Sequence, residues 1–141
     1  WKTAARVRHI ARTLYGTGPH GLCGPDTGGQ LSAWFVLSAL GFYPVNPAEG
    51  TYVIGTPLVE RAEIDVAGGR RFTVEAKGLS DASVYVQSVT LNGRSLDQCW
   101  FRHEDLATGG SLRFVMGPEP NRSWASNPDA APPSMSTRDL R

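Results

Sequence analysis

Apolar residues recur at three- and four-residue spacing over the first fifteen positions: Ala4, Val7, Ala11, Leu14 and Tyr15, with Arg6, Arg8 and Arg12 between them. That period predicts an amphipathic helix over 1–15. Gly16, Gly18 and Pro19 end it, and a loop with six glycines and two prolines runs on to Gly29. From Gln30 to Leu40 the sequence QLSAWFVLSAL is apolar on nearly every side. It predicts a second helix, closed by Gly41 and followed by Pro44. A helix apolar all round has to be covered all round, and one other helix cannot do that. The pattern therefore sets both helices in a larger helical body, so that the chain reads as a piece of a longer protein.

Beyond Pro44 the period shortens to two. Phe72, Val74 and Ala76 alternate with Thr73, Glu75 and Lys77. Strands are expected over 51–55, 58–66, 71–77, 83–91, 94–96 and 111–116, with Asn92-Gly93 as a two-residue hairpin turn. Gly68-Gly69 and Gly109-Gly110 mark two more turns. The stretch from Pro118 is rich in Pro, Ser, Ala and Asn without apolar period. It reads as an extended or disordered tail whose first residues Trp124 anchors. The fold class expected is α+β: helices over 1–44 carrying a site loop at 20–30, an antiparallel sandwich-like region over 45–117, and a tail over 118–141.

Composition narrows the function classes. Fourteen basic residues against thirteen acidic ones leave a net charge of +1, which favours neither nucleic acid nor a membrane surface as partner. No apolar run reaches the roughly 20 residues of a membrane span. The chain opens Trp-Lys-Thr with no leader pattern. Cys23 and Cys99 fit no metal or redox spacing and are expected to be unpaired, buried thiols.

The loop 20–30 is where polar, Gly-rich sequence meets a buried helix. Asp26 or Thr27 can cap that helix by accepting from free N–H groups. A carboxylate there also feels the positive end of the helix dipole and stays ionised, as a general base for water requires. The residues alone leave cap and base both open. His20, in the same loop, is a further candidate. His9 is expected at the surface, His103-Glu104-Asp105 in a solvated loop, and Trp34 in the core. Asn121-Arg122-Ser123 matches the short glycosylation pattern.

The segment GLCGPDTGGQLSAWFVLSALGFYPVNP, Gly21–Pro47, closely resembles the signature of family 92 glycoside hydrolases. The likeness continues through YVIGTPLVERAEIDV, YVQSVTLNGRSLD and GGSLRFVMGPEPN. The resemblance implies a bacterial, calcium-dependent, inverting exo-α-mannosidase, secreted or periplasmic, acting on terminal mannose of glycans. It implies that this chain is the end of an (α/α)6 barrel plus C-terminal β structure. The rest of the parent polypeptide would be its partner and would supply the general acid and most calcium ligands. Asp26 and Thr27 then fall at the catalytic run, and His20 and Gln30 at the substrate. The run departs from the family's pattern. Thr27 stands at the usual base position and Pro25 at that of its acidic companion, so only Asp26 is a carboxylate. Three explanations stay open: Asp26 is the base after a one-residue shift, catalysis is altered or lost, or the alignment slips by one. The chain alone should be inactive. A reading of another class makes the β half a structural or carbohydrate-binding module, which needs Tyr85 or Trp100 on an open face.

Overall fold

The computed structural model describes residues 1–134. Helix α1 spans Lys2–Thr13 and α2 spans Gln30–Ala39. Eight strands follow: β1 (Phe42–Asn46), β2 (Thr51–Ile54), β3 (Arg61–Val66), β4 (Arg70–Lys77), β5 (Tyr85–Leu91), β6 (Arg94–Ser95), β7 (Trp100–Arg102) and β8 (Gly110–Gly117). A five-residue helix α3, His103–Ala107, precedes β8. The α+β class holds. His103-Glu104-Asp105 is not a loop, because the Asp105 carboxylate accepts from the Arg102 N–H at 2.9 Å and starts α3.

The strands form a three-stranded sheet, β1-β2-β7, and a five-stranded one, β3-β4-β8-β5-β6. The expected all-antiparallel pairing needs correcting: β4 and β8 run parallel, Phe72 opposite Gly110 through Lys77 opposite Val115. β8 returns after three strands and α3 to insert between β4 and β5, and such a long crossover leaves no trace in local alternation. β1 was not expected either, since it contains Pro44. It tolerates proline as an edge strand whose register shifts between Tyr43 and Asn46. Asn92 and Gly93 both have positive φ, 52° and 79°, as the two-residue β5–β6 hairpin requires.

One apolar cluster joins both sheets. Phe42, Ile54 and Phe101 of the small sheet pack with Phe72, Val74, Val89, Leu112 and Phe114 of the large one. Phe101 stacks on Phe72 with ring centres 6.3 Å apart and meets Phe42 edge-on at 5.3 Å. On the other face of the large sheet, Arg113, Glu75, Arg61, Glu63, Arg71 and Asp65 form an unbroken chain of exposed ion pairs. Both helices join the sheets: the Leu58 and Gly55 N–H groups donate to the carbonyls of Ala39 and Gly41 at the end of α2, each at 2.9 Å, and α1 joins through Arg8. Arg8 is only 5% exposed and donates to the carbonyls of Pro57 at 3.1 Å and Ser80 at 3.0 Å. Desolvation by burial, then repulsion from Arg12, lowers its pKa, against the pull of Asp81. His9 lies exposed, as expected.

The described part of the last segment, 118–134, packs on the β half. β5 shifts register between Val86 and Ser88, and the Gln87 carbonyl at that shift accepts from Asn121 Nδ2 at 2.8 Å. Asn121 Oδ1 accepts from the N–H groups of Ser123 and Trp124. The glycosylation-like asparagine therefore serves as a latch. Trp124 does anchor this segment, its indole N–H donating to the Leu96 carbonyl at 2.9 Å. Positions 135–141 of the expected tail lie outside the described residues.

α2 is thinly covered. Ser38 is its one buried residue, and Val36 stands 58% exposed, with Leu14, Leu22 and Val45 exposed as well. Trp34 and Phe35 are half-buried, each stacked on Tyr15, at 5.3 and 5.0 Å. The thiols are unpaired as expected, but Cys23 is exposed because it sits in the loop, and Cys99 is half-buried.

Candidate functional site

The loop between α1 and α2 is pinned at both ends. At its start the Gly16 N–H donates to the Gly21 carbonyl at 2.8 Å, and the Gly21 N–H donates to that of Gly18 at 3.1 Å. A Cβ on Gly21 would lie 2.2 Å from the Gly16 oxygen, so only glycine fits there. At its end Thr27–Gly29 make one 3₁₀ turn. Gly29, with φ of 75°, then enters α2 at the N-cap position without a side chain to offer.

Asp26 supplies what Gly29 lacks. Its Oδ1 accepts from the N–H groups of Leu31 at 2.8 Å and Ser32 at 3.1 Å, and its Oδ2 accepts from Ser32 Oγ. These are the free donors of the first turn of α2. The Ser32 hydroxyl first, then the Ser32 and Leu31 N–H groups, hold the carboxyl below the usual carboxylate range against a small opposing effect of burial. Its folded-state pKa is depressed, so the stability this cap contributes is present above the ordinary aspartate pKa. It is lost as pH falls through the lower folded value.

The other candidates make no bond to the Asp26 side chain. Thr27 opens the 3₁₀ turn and Gln30 opens α2. Thr27, Gln30 and His20 are all exposed, and among the described residues none of the three is hydrogen-bonded to Asp26. Two residues that sequence reading passed over complete the arrangement. Ser32 makes two of the three bonds to Asp26, and its one signal was its place two residues after Gln30. Tyr15 closes the base of the loop by stacking on α2. Burial first, then the negative charges of Cys23, Asp26 and Tyr43, push its phenol above the ordinary range.

The arrangement is an exposed, pre-shaped polar loop with one ionised carboxylate beside a threonine and an amide. It can accept hydrogen bonds from a hydroxylated ligand or from water. Among the described residues no three His, Cys, Asp or Glu side chains gather to hold a metal, and no helix is long and apolar enough to cross a membrane. Tyr85 and Trp100 are each half-buried, and the Arg102 guanidinium lies over the Trp100 ring at 5.4 Å, which weakens the reading of the β half as a module that binds sugar on these two rings.

Residues 1–118 match the profile of the glycosyl hydrolase family 92 catalytic domain. A secreted glycosidase of Arthroderma benhamiae, described as uncharacterized, is 31% identical over 118 residues, covering 82% of this chain and 15% of its own length. A family GH92 α-mannosidase of Bacteroides thetaiotaomicron superposes with a TM-score of 0.90 at 36% identity, covering 96% of this chain and 18% of that one. It has also been solved in complex with mannoimidazole. A family GH92 inverting mannosidase from the same organism gives the same score and identity over 97% of this chain and 19% of its own. The chain thus spans less than a fifth of each of these relatives.

Proposed function

Because the chain belongs to glycosyl hydrolase family 92, we propose that it is the C-terminal, loop-bearing portion of an inverting exo-α-mannosidase that hydrolyses terminal α-mannosides of glycans. Loop 20–30 forms one wall of the site, with Asp26 as its carboxylate, Thr27 beside it in the catalytic run, and His20 and Gln30 toward the sugar. The observation that carries this is the Asp26 arrangement: a carboxylate kept ionised and fixed in direction by three donors, on a loop that α2 and Tyr15 hold in shape. An inverting site pairs such a base with an acid about 6.5–9.5 Å away, leaving room for a water between them. That acid comes from the rest of the parent polypeptide. So does the cover of α2: Val36 is exposed, as are Leu14 and Leu22 in the preceding segment, and the remaining helices of an (α/α)6 barrel would bury such residues.

Calcium, where the parent uses it, would help orient sugar hydroxyls. Among the described residues no three His, Cys, Asp or Glu side chains gather, which supports placing most of its ligands in the rest of the parent. A secreted parent fits the relative described as secreted.

A specific observation favours a second reading, in which catalysis is weakened while the site's shape is kept. Hydrogen bonds that depress the Asp26 carboxyl also make it a weaker base, and Thr27, at the usual base position, cannot ionise near neutral pH. Thr27→Asp in the full-length parent separates the two. If Asp26 is the working base, α-mannosidase kcat/KM stays within about threefold of wild type, well short of the usual worth of a general base. A gain of about 10²-fold or more would show instead that turnover was lost at Thr27.

A further inference from the structure

Residues 95–98 and the segment 123–130 face each other across a groove of about 620 Å³. That volume lies within the roughly 300–1,000 Å³ of ligand-binding clefts. Its walls are fixed to each other at two points. Trp124 Nε1 donates to the Leu96 carbonyl at 2.9 Å, and the Cys99 N–H donates to the Ala130 carbonyl at 3.1 Å. Trp124 packs on the core and is also one of the residues that line the groove.

The lining chemistry selects among ligands. None of the lining residues is Lys, Arg or His, which disfavours phosphates and other anions. Ser95, Asp97, Gln98, Asn127 and Asp129 line it instead. Part of their capacity is used internally. Ser95 Oγ donates to Asp97 Oδ1 at 2.7 Å, Gln98 Nε2 to the Trp100 carbonyl at 3.0 Å, and Asn127 Oδ1 accepts from the Asp129 N–H at 3.1 Å. Among the described residues, Asp97 Oδ2, both Asp129 carboxylate oxygens, Gln98 Oε1 and Asn127 Nδ2 keep their remaining capacity for a ligand. Calcium takes six or more oxygen ligands, and Asp97 and Asp129 join no third acidic or His side chain as a metal cluster among the described residues. A neutral polyhydroxylated ring with one apolar face matches what remains. Its hydroxyls donate to the carboxylates and exchange bonds with the amides, and its C–H face lies on the indole.

We propose that this groove is a second saccharide-binding site, separate from loop 20–30, that takes a neutral hexose unit of a glycan. The proposal does not depend on which residue of the loop is catalytic. It is tested by saturation-transfer NMR of α-1,2-mannobiose with the full-length parent, its loop 20–30 site filled with mannoimidazole, compared with the Asp97→Asn/Asp129→Asn double variant and with Asp26→Asn. Both groove positions are exposed and asparagine keeps their shape, so the Trp124 fluorescence environment should stay unchanged. The expected result is transfer to mannobiose that the groove variant weakens by about tenfold in apparent affinity, as for lost charge-assisted hydrogen bonds, and that Asp26→Asn leaves intact. No transfer to mannobiose would overturn the proposal. So would transfer lost only with Asp26→Asn, which assigns the sugar to the loop, or a groove that responds to spermidine and not to mannobiose, which makes it a site for cations.

Discussion

Asp26→Asn in the full-length parent is expected to lower α-mannosidase kcat/KM by about 10²–10⁴-fold, the usual worth of a positioned general base, while leaving α2 in place. The two effects separate because of how Asp26 is bonded. Asparagine keeps an Oδ1 that accepts from the Leu31 and Ser32 N–H groups, so the first turn of α2 stays capped. Its Nδ2 cannot accept from Ser32 Oγ, but that hydroxyl can turn and accept instead. What disappears is the negative charge. Steady-state kinetics of the variant, with circular dichroism to confirm the fold, checks this. Unchanged turnover would remove Asp26 from the chemistry and leave it as a cap.

Phe114→Ala is expected to cost about 3–5 kcal/mol of folding stability, the range for deleting a large buried aromatic. Phe114 is 1% exposed and sits on β8, the strand between β4 and β5. It also reaches the seam between helices and sheets. Gly41 ends α2 with φ of 93°, and a Cβ there would come within 2.8 Å of the Phe114 ring. The ring thus occupies space that the missing glycine side chain leaves, and removing it opens a cavity on both sides. Urea unfolding should show a lower midpoint at unchanged slope. A loss under about 1 kcal/mol would mean that the junction collapses around the gap.

The helices and most strands were legible because their periods are local. The α1 stripe of Ala4, Val7 and Ala11 and the β4 alternation of Phe72, Val74 and Ala76 can be read from neighbouring residues alone. What escaped was set by distant contacts. Arg8 reads as a solvent-side residue until Pro57 and Ser80 supply carbonyls 49 and 72 positions away. Pro44 reads as a terminator until β2 pairs beside it and makes β1 an edge strand. The parallel β4–β8 pair and the hold of Asn121 on Gln87 are tertiary in the same sense. The site divided likewise. The loop and its carboxylate were visible as residue types, whereas the threefold bonding of Asp26 through Ser32 needed the turn at Gly28 and Gly29 to bring the two side chains together.

The central claim is that loop 20–30 forms a wall of an α-mannoside site, and affinity for mannoimidazole tests it without requiring turnover. Calorimetric titration of the full-length parent, wild type and Gln30→Ala, is the direct measurement. The account predicts that wild type binds and that Gln30→Ala binds about tenfold more weakly or worse, the loss of one buried polar contact to the ligand. Equal affinity in the two proteins, or no binding by wild type, would contradict it.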